Sequence, residues 1–172
     1  PASLSLVCTH SGGWRMMPPL SSLPKLVAVA LSTSSGGRIR RILPLHYAPE
    51  YLSSMLELEE EEEEELSAGN VLAGVYEERS PFRKSILHYI PGVVGHLLAA
   101  LTHHVSDDRL SRLSGGDAPD CLIIAAGRDM LIPVGHSIDL ARQIGGSTEV
   151  LEFARNGHMV NTEQTHEFNA AL

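Results

Sequence analysis

The spacing of apolar positions changes twice along the chain and divides it into three regions. Residues 2–8, ASLSLVC, alternate small or polar with apolar side chains, which is the two-residue period of a strand. THSGG follows as a glycine-rich loop, then the proline-interrupted WRMMPPL. PKLVAVAL, residues 24–31, is apolar and fits either a strand or a helix, and STSSGG at 32–37 is a cluster of structure breakers. From Ile39 to Ser114 the spacing becomes mostly helical. PLHYAPEYLSSML predicts a proline-opened helix, and Ser80-Pro81 has the chemistry of another helix start. Val94, Leu97, Leu98 and Leu101 recur at helical spacing and predict a core-facing stripe. Ser106, ahead of Asp107 and Asp108, predicts a further short helix with Ser106 as its cap.

The last third reads differently. CLIIAA, residues 121–126, is short, continuous and apolar, which suits a strand buried on both faces. After the loop GRDMLIPV, HSIDLARQIGG predicts a helix stopped by Gly145-Gly146. TEVLEF, residues 148–153, predicts a second strand, and after ARNGH a last helix opens with Asn161 or Thr162 as its cap. Strand, helix, strand and helix with short connections predict an α/β fold around a parallel sheet.

Composition narrows the function classes. A chain of 172 residues, 43% hydrophobic, fits one globular domain of ~100–200 residues. A formal net charge of −8 argues against nucleic acid, whose phosphates call for a basic face. No apolar run is long enough to span a bilayer, and PASLSLVCTH lacks the basic start of a secretory signal. Cys8 and Cys121 lie in apolar stretches and are expected as buried, reduced thiols, which favours a cytoplasmic setting. ELEEEEEEEL, residues 57–66, reads as a solvated charged face rather than a dock for a basic partner or a divalent cation.

Candidate chemistry stands at the strand ends, where open parallel sheets gather their ligands. Asp129 follows CLIIAAGR, and His158 follows VLEFARNG. Each alone fits a turn, since Asp and Asn-Gly are turn residues. Together, after consecutive strands joined by one helix, they open on the same edge of the sheet. A carboxylate there fixes an imidazole tautomer and makes the ring a general base.

These residues carry a resemblance. CLIIAAGRDMLIPV followed by FARNGHMVNTEQTHEFN resembles the C-terminal half of an α/β-hydrolase. Asp129-Met130-Leu131-Ile132-Pro133 matches the acid motif and Gly157-His158-Met159 the base motif, with Gly127 two residues before the Asp rather than three. SLSLVCTHSGG is similar to the strand after the nucleophile helix. LTHHVSDDRLSRL is similar to the last segment of the inserted cap. The resemblance implies a partial α/β-hydrolase fold: the C-terminal strands of a mostly parallel sheet, flanking helices and an inserted helical cap. It divides the chain into a core strand and loop (1–38), a cap with the Glu run (39–118) and a C-terminal core with the acid and base loops (119–172).

The resemblance implies Asp129 and His158 as catalytic residues, with no cofactor and no metal, and a small-molecule substrate for the full-length protein. The family's nucleophile, a Ser on G-x-S-x-G, precedes both and is expected upstream of Pro1. The chain is thus expected to begin inside a larger protein, to be inactive alone, and to carry an association-prone edge at residues 2–8. GHSID at 135–139 imitates the elbow, but Asp139 replaces the last glycine and Ser137 follows the acid. Ser137 is expected as a helix cap instead.

His96, His103 and His104 lack the three- or four-residue spacing of helical metal pairs and are expected to line the cap. His96 or Tyr89 would touch substrate if the cap roofs the site, and Ser11-Gly12-Gly13 would form its rim or a plain tight turn. The alternative is a non-catalytic truncated protein of this fold that binds a ligand or partner, with the Glu run as its surface. Receptors and lyases of the same fold form a third class.

Overall fold

The computed structural model describes residues 3–13, 18–54, 68–79, 102–114 and 120–172, together with 91, 92, 94, 95, 98 and 99. The Glu run, Ser80, Pro81, Tyr89, His96, Leu97 and Leu101 lie outside the described residues.

Three strands, β1 (Ser3–Val7), β2 (Asp120–Ala126) and β3 (Glu149–Phe153), form a parallel sheet in the order β1-β2-β3. Leu6 lies opposite Ile123, and Ile124 opposite Leu151. The central position of β2 explains its unbroken apolar sequence, because both of its faces are covered. Successive side chains point to opposite faces. Cys121 and Ile123 join Leu110, Leu140 and Ile144 on one side, while Ile124 and Ala126 join Cys8 and Val160 on the other.

The long connection from β1 to β2 carries α1 (Leu23–Ala30), α2 (Ser35–His46), α3 (Pro49–Ser53), α4 (Ala68–Arg79) and α5 (Asp107–Ser111). The short return from β2 to β3 carries α6 (Val134–Ile144). Two short helices, α7 (Val160–Glu163) and α8 (Thr165–Ala171), end the chain. Ile39, Leu43, Tyr47 and Ala73 form a separate cluster within the long connection, with Met159 packed against it. Among the described residues β1 pairs only with β2, so its outer edge keeps open backbone groups.

Several expectations are corrected. Residues 24–31, open to either element by sequence, fall largely in the helix Leu23–Ala30. The cluster at 32–37 starts a helix rather than breaking one: the Ser34 hydroxyl accepts the Gly37 amide at 3.1 Å, so the serine acts as a cap. Pro44 lies inside α2, and the proline that opens a helix is Pro49. Val94 and Leu98 are 47% and 54% exposed, since periodicity marks an apolar face without supplying what covers it. Ser106 takes the cap position of α5 as expected, though its side chain makes no cap bond. Ser137 is buried within α6, and Pro133 takes its cap position. Asn161 and Thr162 fall inside α7, with Met159 at its cap. Cys8 and Cys121 are free, buried thiols as expected.

Candidate active site

Asp129 sits in the loop that leaves β2, with its side chain wholly buried. Its Oδ1 accepts the backbone amides of Leu131 at 2.7 Å and Ile132 at 2.8 Å, an Asx turn that orients the carboxylate. The same turn delivers Pro133 to the start of α6. Ser22, also fully buried, donates to the Met130 carbonyl at 2.6 Å and fastens the loop to the start of α1. Asp129 Oδ2 is left for a partner in space.

That partner is His158, whose Nδ1 lies 2.7 Å from Oδ2. A carboxylate only accepts, so Nδ1 carries the proton and Nε2 of the neutral ring is the basic atom. A quarter of the His158 side chain remains exposed. The two loops are laced together: Gly127 N–H donates to Phe153 O and Arg128 N–H to Asn156 O, both at 3.0 Å. The glycine before the histidine has a steric cause. A Cβ at Gly157 would stand 2.8 Å from Ala48 N, from His46 O and from Tyr47 C, so the α2–α3 junction crosses too closely for any side chain.

Glu163 fixes that crossing. Its carboxylate accepts Ala48 N–H at 2.7 Å, Gly157 N–H at 3.1 Å to each oxygen, and the Asn156 side-chain amide at 3.0 Å. Met159 N–H donates to His46 O at 2.9 Å. The His46 ring lies 6.0 Å from that of His158. Burial, and then the His158 charge, push the His46 imidazole below its ordinary 6.5, against a smaller opposing pull from Asp129.

Cys8 completes the cluster. It follows β1 and is the one non-glycine residue among those described with a positive φ, 42°, and its N–H donates to Ile124 O at 2.9 Å. Its sulfur lies within 4.8 Å of ligating atoms of both Asp129 and His158. Burial first, then the charge of Asp129 and a hydrogen bond to it, push the thiol up to about 12. Protonated at neutral pH, the thiol is a poor nucleophile. A cleft of about 380 Å³ adjoins the acid loop, lined by Lys25, Pro44, Tyr47, Pro49, Gly127, Arg128, Asp129 and Met130. Glu50 pairs with Arg128 on its margin.

Asp129 and His158 thus meet as their positions predict. Ser11-Gly12-Gly13 packs against the segment around His103 rather than forming an open rim: a Cβ on Gly12 would lie 2.0 Å from His103 O. Sequence reasoning missed Cys8, His46 and Glu163 as neighbours of the pair. For Cys8 a signal existed, because it stands at a strand's carboxyl end. For the other two none did, since their contacts join segments far apart in the chain.

No family model and no curated protein matches the sequence. Solved structures do. The chain is similar to a meta-cleavage product hydrolase from Pseudomonas fluorescens IP01, with 21% identity, a TM-score of 0.65, and coverage of 98% of this chain and 53% of that one. It is similar to an α/β-hydrolase enzyme from a Medee basin deep-sea metagenome library, with 14% identity, a TM-score of 0.60 and coverage of 98% and 54%. It is also similar to a thermophilic esterase from Thermogutta terrifontis, with 18% identity, a TM-score of 0.58 and coverage of 99% and 53%. The chain spans about half the length of the solved structures it matches. A parallel sheet with polar loops at its strand ends, laid over these enzymes along nearly all of its length, shows that the chain has the α/β-hydrolase fold.

Proposed function

We propose that this chain is the acid–base half of a hydrolase acting on an ester, amide, epoxide or related bond, with Asp129 and His158 as its acid and base. The observation that carries the reading is the 2.7 Å contact between His158 Nδ1 and a buried carboxylate whose other oxygen is held by two backbone amides. The ring is thereby fixed with Nε2 basic. Nε2 takes the proton of a nucleophile hydroxyl as that oxygen attacks the substrate. Asp129 stabilises the imidazolium, and the ring returns the proton to the leaving group. Residues 1–172 contain no G-x-S-x-G, and on this reading the nucleophile and oxyanion donors would be supplied from outside them.

Residues 39–118 act as the cap. The small cluster around Ile39, Leu43 and Tyr47, and the crossing of the α2–α3 junction over Gly157, support that role. The test is turnover of a p-nitrophenyl ester by the protein extended through its upstream reading frame. Asp129→Asn is expected to lower kcat by ~10³–10⁴-fold, by leaving the ring in the wrong tautomer. His158→Ala is expected to lose at least as much. Full activity with either change overturns the assignment.

A further inference from the structure

We propose that Cys8, Asp129 and His158 also form a binding site for a thiophilic divalent cation, Zn²⁺ by the chemistry of its donors. Only the inhibitory consequence rests on the hydrolytic reading; the site itself does not.

One sulfur, one carboxylate oxygen and one imidazole nitrogen lie within 4.8 Å of one another. Zinc bonds of ~2.3 Å to sulfur and ~2.0–2.2 Å to nitrogen and oxygen place tetrahedral donors roughly 3.3–3.7 Å apart. The separations of the three groups therefore need to change by about 1.5 Å or less to surround an ion. Two of them are already held. The Cys8 backbone is pinned at the end of β1 by its bond to Ile124 O, and Oδ1 of Asp129 is anchored by the Leu131 and Ile132 amides. Hydrogen bonds of this kind to a ligating carboxylate are the usual outer support of a metal site. His158, on a partly exposed loop, supplies the adjustment.

Charge agrees with geometry. A thiolate and a carboxylate neutralise a dication, and a neutral imidazole adds nothing, so a buried site stays uncharged overall. The soft sulfur excludes Mg²⁺ and Ca²⁺, which take oxygen ligands. Three protein ligands leave a fourth position for water. On binding, metal–sulfur, metal–nitrogen and metal–oxygen bonds form. The Cys8 thiol proton leaves to solvent, and the imidazole proton moves from Nδ1 to Nε2. The atom that must act as base then carries a proton, so the bound ion switches the pair off.

The experiment titrates the folded chain with Co²⁺ as a coloured stand-in for Zn²⁺. A thiolate-to-cobalt absorption band saturating at one equivalent and bleached by Zn²⁺ is expected. It should persist in Cys121→Ser, vanish in Cys8→Ser, and require at least tenfold more Co²⁺ in His158→Gln, with each variant's fold checked by circular dichroism. Cadmium NMR of the unsubstituted chain reads the same point without a variant: a shift typical of a single sulfur ligand is expected. No thiolate band, a band that survives Cys8→Ser, or a cadmium shift typical of nitrogen and oxygen alone overturns the proposal. None of these readouts uses turnover, so the result is separate from the fate of the hydrolytic reading.

Discussion

Replacing Glu163 by alanine tests whether the base loop is built by a contact that local sequence does not reveal. The carboxylate serves three donors, Ala48 N–H, Gly157 N–H and the Asn156 amide. A hydrogen bond to a charged group contributes ~1.5–3 kcal/mol, but Glu163 is only half-buried and water replaces part of each bond. About 1 kcal/mol per donor is a fair discount, so the loss comes to roughly 2–4 kcal/mol. For a chain of this size that lowers Tm by roughly 5–15 °C. Glu163→Gln should recover less than half, because it keeps one acceptor and turns an NH₂ toward amide donors. Glu167→Ala, at an exposed position of α8, is the control and should stay within about 0.5 kcal/mol. Urea or thermal melting gives the stability, and hydrogen exchange at the Gly157 amide gives the location. A loss below about 0.5 kcal/mol in Glu163→Ala, or unchanged exchange at Gly157, would refute the reasoning.

Gly157→Ala should cost ~1–3 kcal/mol, because its Cβ meets only backbone atoms that cannot rotate away; a melt indistinguishable from the parent's would contradict this. Acid should weaken the fold through two histidines. Burial, then the charges of His136 and His103, push His10 below its ordinary 6.5, as burial and His158 do His46. The unfolded chain then binds more protons, so stability is complete above 6.5 and declines as pH falls from there toward the folded values. Melting across pH should show that decline, and the double variant His10→Gln/His46→Gln should flatten it. Cys8, with its thiol pushed up to about 12, should resist iodoacetamide in the folded chain at neutral pH and react on unfolding, as peptide mass spectrometry would read; rapid native labelling would contradict its burial.

The elements best legible in the sequence are those with local signals. β2 is a continuous apolar run because it is the middle strand, and α6 ends at Gly145, which takes φ 73°. The pairing of Asp129 with His158 was readable because consecutive parallel strands place their exit loops on one edge. Helix starts were less legible. Ser34 looks the same whether it breaks a chain or caps a helix, and only the direction of the following residues separates the two. Glu163 to Ala48 spans 115 residues, and a first-turn glutamate reads locally as nothing more than a complement to the helix dipole. Val94 and Leu98 show the converse, since apolar spacing cannot specify a neighbour.

The crossing of residues 46–48 over the base loop makes the two a single mechanical body. Gly157 touches the junction without a spacer, Met159 hangs from His46 O, and Glu163 clamps Ala48. Raising the junction by about 1 Å would stretch the 2.7 Å Ala48–Glu163 bond past hydrogen-bonding range. The carboxylate that lets go of Ala48 is the one that steadies Gly157, immediately before the imidazole. Any displacement of residues 46–48 would therefore reach the base loop through the backbone contacts at Gly157 and Met159 and the Glu163 clamp, not through the His158 ring.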